Sequence, residues 1–343
     1  MENIKIRLPD GSQKDLPVGS SGFDLAKSIG PGLAKDAVAV TINGEQKDLL
    51  DALPNNASVS IITIKSEEGL EIMRHTLTAQ VLAQAIKNLY PDAKLAIGPT
   101  IENGFYYDTL FPKPISSDDL SNIENEMRKI ISTKSKINKT LHSKKDAITK
   151  FKEINENFKA EIINESEQTK DFQIYEQTKS GFIDLCRGPH LPSLDYIGEF
   201  KLTKISGAYW KGNAENQMLT RIYGTAWRTQ KELDHYLTQQ EEAEKRDHRK
   251  IGKEMNLFHF QDDAPGMVFW HPAGWTVYRE LQNYMRMMQA KNGYEEIRTP
   301  EILDRKLWEK SGHWDKYREN MFITEIDEEH ANEKRINALK PMN

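Results

Sequence analysis

The chain has 343 residues, of which 29% are charged, and its formal net charge is −5 at pH 7. This length exceeds what one hydrophobic core usually supports, so we expect two to four domains. The single cysteine excludes an intrachain disulfide framework. The mean hydropathy of −0.69, without an apolar run of membrane length, predicts a soluble chain that has no membrane partner. The single cysteine fits a reducing, cytoplasmic location.

The first 64 residues are predicted to form one compact unit. IKIRL (4–8) alternates like a strand, and SSGFDLAKSIG (20–30) has the serine cap and glycine stop of a short helix. An Asn-Gly pair at 43–44 indicates a hairpin, and VSIITI (59–64) is apolar enough for a buried strand. This is a β-grasp pattern, and it resembles the TGS domain that is found at the N-terminus of threonyl-tRNA synthetases.

A long helix is predicted next, from about Leu70 to Tyr90, where a proline stops it. Its buried face follows helical spacing and contains Val81, Leu82, Ala85, Ile86 and Leu89. IGPTIENGFYYD (97–108) is predicted to form strand, turn and strand. A further helix is expected from about Asp118, with Ser117 as its cap.

Residues 127–145 carry seven Lys or Arg and no acidic residue. Two interpretations are open for this basic run. It is either a solvated helix and loop, or a surface that contacts the phosphate backbone of RNA.

The second half of the chain begins with a polar segment and continues with an apolar one. Residues 228–254 have too few apolar positions for a core and are predicted to form a long linker helix. An amphipathic helix follows that ends at Gly293, and one of its faces contains Val277, Leu281, Met285 and Met288. YEEIRTPEI is then a predicted strand ending at Pro300. This helix and strand resemble motif 1 of the class II aminoacyl-tRNA synthetases, which forms the dimer interface in that family.

The stretch DLCRGPHLP (184–192) holds the only cysteine of the chain, Cys186, between Asp184 and His190. From the spacing alone, several interpretations are open: a buried free cysteine beside a surface histidine, a metal site, a thiolate nucleophile, or a polar pocket that positions water. A zinc site normally needs three or four protein ligands, and His75 is the best upstream candidate for a third.

Several motifs in a fixed order resemble one family. A helix that begins with Arg-His is followed by IGPTIENGFYYD, DLCRGPH, GAYWKG (207–212) and TRIYGTAW (220–227), as in the second domain of bacterial threonyl-tRNA synthetases. KRDHRKIGKE and APGMVFWH match the same family further along. The resemblance implies an α+β multidomain chain: a β-grasp TGS domain over 1–64, an α+β editing domain over 65–227, a linker helix over 228–254, and the start of a class II antiparallel-sheet catalytic domain over 255–343.

The resemblance also implies a function for the second domain, the hydrolysis of serine wrongly esterified to the threonine tRNA. Serine lacks only one methyl group of threonine, which is worth about 1–3 kcal/mol of discrimination, so a second, hydrolytic site is needed. The editing residues carried over from the family are His75, Lys159, Asp184, Cys186 and His190. Residues assigned to the tRNA side are Tyr107, Lys144 and Lys145.

The editing helix departs from the family in one respect. The family has a second histidine four residues after the first, but here position 79 is alanine, and counting back from the apolar face puts Gln80 in the place of that histidine. One extra residue rotates His75 by about 100° relative to the rest of the helix, unless a π-bulge absorbs it. Because glutamine does not titrate, we expect editing to be impaired.

The family's motifs 2 and 3, which bind ATP, are not found after motif 1. In the full-length enzyme the resemblance implies ATP, Mg²⁺ and one catalytic Zn²⁺, with threonine and tRNA(Thr) as substrates and a homodimer as the assembly. The zinc ligands would lie beyond Asn343, so the chain is expected to be an N-terminal part that forms no threonyl-adenylate and holds none of these metals. The alternative is a free-standing tRNA-binding or trans-editing module without ligase activity.

Overall fold

The computed structural model describes residues 3–326 and 335–340. The chain forms two compact units, one up to Glu242 and one from Ala243 onwards. Residues 341–343, where the sequence led towards the expected zinc cysteine, lie outside the described residues. Within the described ranges, no helix combines the length and the apolar content that crossing a bilayer would require.

The first unit begins with a β-grasp fold. Its elements are β1 (Asn3–Arg7), β2 (Gln13–Pro17), α1 (Gly22–Ile29), α2 (Pro31–Asp36), β3 (Ala37–Ile42), β4 (Glu45–Asp48) and β5 (Ala57–Thr63). The sheet order is β2-β1-β5-β3-β4, with β1 and β5 parallel. The predicted helix cap and hairpin are confirmed. Ser21 and Asp24 form a capping box at α1, and the turn residues Asn43 and Gly44 have φ of 51° and 90°.

A helix of 67–89, which we call the central helix, follows the β-grasp fold. It consists of α3 (Glu67–Thr76), a π-helical turn (Leu77–Leu82) and α4 (Ala83–Leu89). Its apolar residues, including Leu70 and Leu82, share one core cluster with Val38 and Ile62 of the β-grasp sheet. The β-grasp fold and the central helix therefore pack as one body. One predicted core residue is wrong: Leu89 is 39% exposed, because it lies on the last turn of α4.

Two sheets and three helices complete the part of the first unit that surrounds the central helix. These elements are β6 (Lys94–Leu95), β7 (Thr100–Ile101), β8 (Gly104–Leu110), α5 (Asp119–Ser132), β9 (Ile137–His142), α6 (Lys144–Glu153), α7 (Asn157–Glu165), β10 (Phe172–Gln177), β11 (Ile183–Leu185), β12 (Glu199–Tyr209) and β13 (Met218–Trp227). One sheet has the order β12-β13-β8-β6, with β7 paired to β8, and the other has the order β11-β10-β9. The predicted cap of α5 is wrong, since Asp118 occupies that position without a side-chain cap.

The predicted linker helix is divided in two. The structure has α8 (Gln230–Lys245) and α9 (His248–Glu254) in place of one helix over 228–254. Asp247 explains the break, because its backbone is extended and its carboxylate accepts the backbone N–H of Arg249, which caps the start of a new helix.

The second unit contains a hairpin, a long helix and a small antiparallel sheet. Its remaining elements are β14 (Phe258–His259), β15 (Phe269–Trp270), α10 (Pro272–Lys291), β16 (Ile302–Asp304), α11 (Arg305–Lys310), α12 (His313–Tyr317), β17 (Ile323–Ile326) and β18 (Arg335–Leu339). Asn292 is the C-cap of α10, and Gly293, with φ of 81°, comes next, in agreement with the predicted glycine stop. The strand predicted to end at Pro300 is wrong. Ile297 is 80% exposed in an irregular segment that pairs with none of the described strands, and the strand β16 begins only at Ile302.

The π-helical turn absorbs the extra residue of the central helix. The backbone N–H of Ala83 donates to the carbonyl of Thr78, five residues earlier, which widens this one turn. Gln80 lies on the turn and is fully buried, and its side-chain nitrogen and oxygen have no hydrogen-bond partner among the described residues. Its backbone carbonyl oxygen accepts a hydrogen bond from Nε2 of Gln177 at 2.8 Å. The widened turn thus leaves a polar side chain in an apolar place.

We expect Gln80→Leu to raise the free energy of unfolding of the chain by about 1–3 kcal/mol, because it removes a buried amide that forms no side-chain hydrogen bond. The measurement is the urea midpoint followed by circular dichroism. Gln177→Leu is the matched control and should lower the midpoint, since it deletes a hydrogen bond that exists. A lower urea midpoint for Gln80→Leu would contradict the conclusion that the side-chain amide of Gln80 is unpaired.

Candidate functional site

A cavity of about 870 Å³ opens beside the central helix in the first unit. His75 and Ala79 line it from that helix, and residues 97–99 line it from the segment before β7. The opposite wall comes from α7, which contributes Lys159, and from the DLCR segment of 184–187. The cavity thus collects side chains that are more than 100 positions apart in the sequence.

A buried ion pair forms one wall of the cavity. Nζ of Lys159 lies 2.6 Å from Oδ1 of Asp184, and the two residues are only 3% and 1% exposed. The backbone N–H of Leu185 donates to Oδ1 of the same carboxylate at 2.8 Å, and the hydroxyl of Tyr107 donates to Oδ2 at 3.1 Å. Burial and the nearby Asp184 carboxylate raise the pKa of Tyr107 well above its usual range, so this hydroxyl keeps its proton and donates. The carboxylate is therefore fully satisfied.

His75 and Cys186 form the second polar pair. Nε2 of His75 lies 2.9 Å from Sγ of Cys186, and Nδ1 lies 3.3 Å from the carbonyl oxygen of Pro189. A carbonyl can only accept, so Nδ1 carries the hydrogen and Nε2 is left as the acceptor for the thiol. Burial lowers the pKa of His75, which favours this neutral tautomer. The site therefore presents a neutral imidazole with a basic nitrogen towards the cavity.

His190 lies behind His75 and does not line the cavity. The two rings are stacked with centroids 4.5 Å apart, and His190 is only 2% exposed. The hydroxyl of Thr76 donates to the carbonyl of Ile72 at 2.8 Å, so Nδ1 of His190, 3.1 Å away, must donate to that hydroxyl. This leaves Nε2 of His190 buried and without a partner among the described residues. His190 is placed to support His75, and a substrate in the cavity would not touch it.

Three residues offer donor atoms that a metal ion could use. His75, Cys186 and His190 bring one ligand atom each to within 4.8 Å of one another, and they are the one such group with cysteine or histidine among the described residues. Tetrahedral zinc with bonds of 2.0–2.3 Å holds its ligands about 3.3–3.8 Å apart. The His75–Cys186 contact of 2.9 Å is shorter than that, and the stacked rings do not converge on one point. The arrangement is a hydrogen-bonded cluster, and it does not fit an assembled zinc centre.

Two residues assigned from the sequence have other places in the structure. Gln80 does not occupy the position of a second histidine, because the π turn brings Ala79 to the cavity and turns Gln80 into the interior. Tyr107 is fully buried, because strand alternation in β8 directs it inwards, so it holds Asp184 and cannot contact tRNA from the surface. Of the two neighbouring side chains, Ala79 therefore faces the cavity and Gln80 does not.

Four of the seven basic residues in the run over 127–145 form ion pairs, and Lys136 and Lys145 are exposed. Lys139 is only 18% exposed at its side chain and binds acidic groups, and Nζ of Lys144 donates to the carbonyl of Ser166 at 2.7 Å. Other ion pairs within the described residues are Arg128 with Glu199, Lys129 with Glu126, and Lys134 with Asp195. The structure does not form a continuous free cationic surface here.

Sequence reasoning missed three residues that shape the site. Thr76 joins His190 to the backbone of Leu191, and Tyr175 packs edge-on against the His190 ring at 4.4 Å. Asp48 reaches the site from the β-grasp fold, 142 positions away, and accepts the backbone N–H of His190. No local signal marks any of the three, since each acts through a contact between distant segments.

Two parts of the chain match models of known domain families. Residues 4–63 match the model described as the TGS domain. Residues 173–223 match the model described as the threonyl and alanyl tRNA synthetase second additional domain, and this range contains Asp184, Cys186 and His190. The matched range therefore includes the DLCR segment of the cavity wall, and its description names the threonyl and alanyl tRNA synthetases.

Individual relatives are more specific. The chain is 48% identical over 345 aligned positions, 99% of its length, to a threonine–tRNA ligase of Bordetella avium. It is 50% identical over 99% of its length to the threonine–tRNA ligases of Maricaulis maris and Rhodospirillum rubrum. The chain is thus a relative of the threonine–tRNA ligases along nearly its whole length. It spans about half the length of these curated relatives, 52% in each case.

One solved structure is also similar in sequence. It is described as the RNA binding domain of threonyl-tRNA synthetase from Cryptosporidium parvum Iowa II, with 40% identity over 29% of this chain and 23% of that chain. The TM-score of 0.26 is too low to support an argument about the fold.

The lowered pKa of His75 predicts a pH dependence of stability. Unfolded histidine takes up a proton near pH 6.5, but the buried imidazole resists it, so the unfolded state binds more protons as the pH falls below about 6.5. We expect the free energy of unfolding contributed by His75 to be complete above that pH and to be lost below it. Urea denaturation at pH 7.5 and 5.5 measures the loss, which should be smaller in His75→Asn. Equal losses in both proteins would show that His75 is not the group that causes the pH dependence of stability.

Proposed function

We propose that this chain carries the editing site of a threonine–tRNA ligase, an ATP-dependent enzyme that attaches threonine to tRNA(Thr), and that its cavity hydrolyses seryl-tRNA(Thr). The observation that carries this proposal is the convergence of the Lys159–Asp184 and His75–Cys186 pairs on one cavity. Part of that cavity lies within the matched second additional domain, and the whole chain is about half identical to threonine–tRNA ligases.

The proposed reaction is the attack of water on the ester carbonyl of the seryl group. Nε2 of His75 is the basic atom that accepts the proton of water, once the Cys186 thiol turns away from it. The oxygen of water forms a bond to the carbonyl carbon, and the ester C–O bond then breaks. The leaving ribose oxygen takes the proton back, so the products are serine and free tRNA.

Lys159 supplies the positive charge for this step. One of its three N–H donors is held by Asp184, an ionic partner that compensates for the burial of the lysine in a place that water barely reaches. The remaining donors are available to the carbonyl oxygen of the ester as negative charge develops on it. Cys186 is half-buried at the cavity wall, where its sulfur contacts Nε2 of His75, while the carbonyl of Pro189 fixes the productive tautomer.

The other parts of the chain have roles that follow from the same relationship. We assign residues 1–64 to the TGS domain, 65–227 to the editing domain, 228–254 to the connecting helices and 255–343 to the start of a class II catalytic domain. ATP, Mg²⁺ and the threonine-selecting Zn²⁺ belong to the full-length enzyme, which we place in the cytoplasm. A homodimer would cover the apolar face of α10, on which Val277, Leu281 and Met285 are more than half exposed. Lys145 is the remaining candidate for a phosphate contact with tRNA.

The test is the deacylation of seryl-tRNA(Thr) by the purified chain. His75→Ala and Lys159→Met should each lower the rate by about 10²-fold or more, since each removes a group that acts on the reacting atoms. His235→Ala is the matched control, because this histidine is exposed on α8, far from the cavity in sequence and contacts, and it should leave the rate unchanged. A wild-type chain that deacylates no faster than buffer would refute the proposal.

A second prediction concerns the position opposite His75. Ala79 is four residues from His75 on the cavity wall, so Ala79→His should place a second imidazole one turn away on the same face. We expect the deacylation rate to rise several-fold, and Cys186→Ala in this background to lower it again. Gln80→His is the control and should give no gain, because its side chain points into the interior. A gain in rate from Gln80→His alone would show that position 80, and not position 79, faces the cavity.

A further inference from the structure

Asp48, the last residue of β4 in the β-grasp fold, reaches across to the segment that carries His190. Its Oδ1 accepts the backbone N–H of His190 at 2.9 Å. Its Oδ2 lies 2.8 Å from Nζ of Lys139 and 2.8 Å from the hydroxyl of Tyr175, whose one hydrogen also has Oε1 of Gln173 within reach at 2.9 Å. The carboxylate is only 15% exposed, so these three donors replace most of its hydration. A single side chain of the first domain thus binds three elements of the second.

Two of these contacts, with the backbone of His190 and with Tyr175, bear on the ring of His190. The N–H bond fixes the backbone from which that ring projects. Tyr175, whose hydroxyl Asp48 holds, packs its ring edge-on against His190 with centroids 4.4 Å apart and an interplanar angle of 78°. Burial, and then the charge of Asp48, raise the pKa of Tyr175, so the hydroxyl keeps the proton that it donates. The loop passes close to this hydroxyl and has no room for a side chain there, because a Cβ on Gly188 would lie 2.0 Å from the Tyr175 hydroxyl oxygen.

His190 transmits this constraint to the cavity. Its ring is stacked on that of His75 at 4.5 Å, and His75 in turn binds Sγ of Cys186 at 2.9 Å. A chain of direct contacts therefore leads from the β-grasp fold to the basic nitrogen that faces the cavity. The β-grasp sheet has no residue on the cavity wall itself, so its influence must pass through this route.

We propose that Asp48 is a positioning residue of the hydrolytic site, through which the β-grasp domain holds the His190–His75 stack in its working geometry. The inference rests on the proposed function for its kinetic consequence, but the geometric part stands by itself. The proposal gives the β-grasp domain a role in positioning the hydrolytic residues, and this role is separate from binding the substrate.

The chain offers a matched control for this proposal. Asp51 binds Nζ of Lys139, as Asp48 does, but it touches neither His190 nor Tyr175. Asp51→Asn therefore removes the same ionic partner without the positioning contacts. Asp48→Asn keeps one oxygen for the N–H of His190 but places an amide where Tyr175 and Lys139 donate. Asp48→Ala removes all three contacts, and Tyr175→Phe removes the hydroxyl bond while it keeps the ring.

The experiment combines kinetics with the imidazole resonances of histidine-labelled chain. We expect kcat for seryl-tRNA(Thr) deacylation to fall by about tenfold in Asp48→Ala and by less in Asp48→Asn, with KM unchanged, since the substrate contacts remain. The ring resonances of His75 and His190 should shift in the same order, and amide exchange at His190 should become faster. Tyr175→Phe should shift the same resonances by a smaller amount, which keeps the test valid if Asp48→Ala does not fold. Asp51→Asn should match the wild type in every measurement.

The outcomes separate the two proposals. If the wild-type chain does not deacylate seryl-tRNA(Thr), but Asp48→Asn and Tyr175→Phe shift the His75 and His190 resonances, the positioning role stands and the proposed function fails. If the resonances and the exchange rate stay unchanged in the Asp48 and Tyr175 variants, the positioning role is overturned, whatever the kinetics. It is also overturned if Asp51→Asn reproduces the effects of Asp48→Asn, because the loss then belongs to the ionic contact between the domains.

Discussion

The ion pair of Lys159 and Asp184 is the interaction on which the site depends. Both groups are almost completely removed from water, which costs several kcal/mol per ion unless each finds good partners. The carboxylate obtains them from Lys159, from the Tyr107 hydroxyl and from the backbone of Leu185. α7, β8 and β11 must therefore meet at one point, or a buried charge is left uncompensated. The same requirement shapes one wall of the cavity.

The His75–Cys186 pair differs from this ion pair because neither of its groups is charged. The thiol of Cys186 donates one hydrogen bond to the neutral imidazole of His75. The carbonyl of Pro189 decides which nitrogen of that imidazole carries the proton. Because this cluster is neutral, it tolerates the low polarity around it without an ionic partner, and burial lowers the pKa of the imidazole further. One side of the cavity thus holds a fixed positive charge and the other holds a neutral base. This division suits the hydrolysis of an ester, in which a proton is accepted at one place and negative charge develops at another.

The π turn shows how an extra residue is accommodated in a helix that carries a functional side chain. The helix is buried on both sides of the insertion, so neither half can rotate without removing its apolar residues from the core. The extra residue is absorbed locally, and the consequence is that Gln80 is buried without partners while Ala79 faces the cavity. Packing therefore decided which side chain reaches the site, and the resulting wall is smaller and less polar than the family pattern implies.

The sequence by itself determined the β-grasp elements and the central helix, and its resemblance to a family supplied His75, Lys159, Asp184 and Cys186 as candidates. The elements depend on local signals, such as the capping serine of α1, the Asn-Gly turn and the spacing of apolar residues, which act over a few positions. Only the tertiary structure decided the places of Gln80, Tyr107 and His190, and it alone revealed Asp48. The register of a bulged helix, the inward face of a strand and a carboxylate from a distant domain are settled by which surfaces pack together, and no short stretch of sequence contains that information.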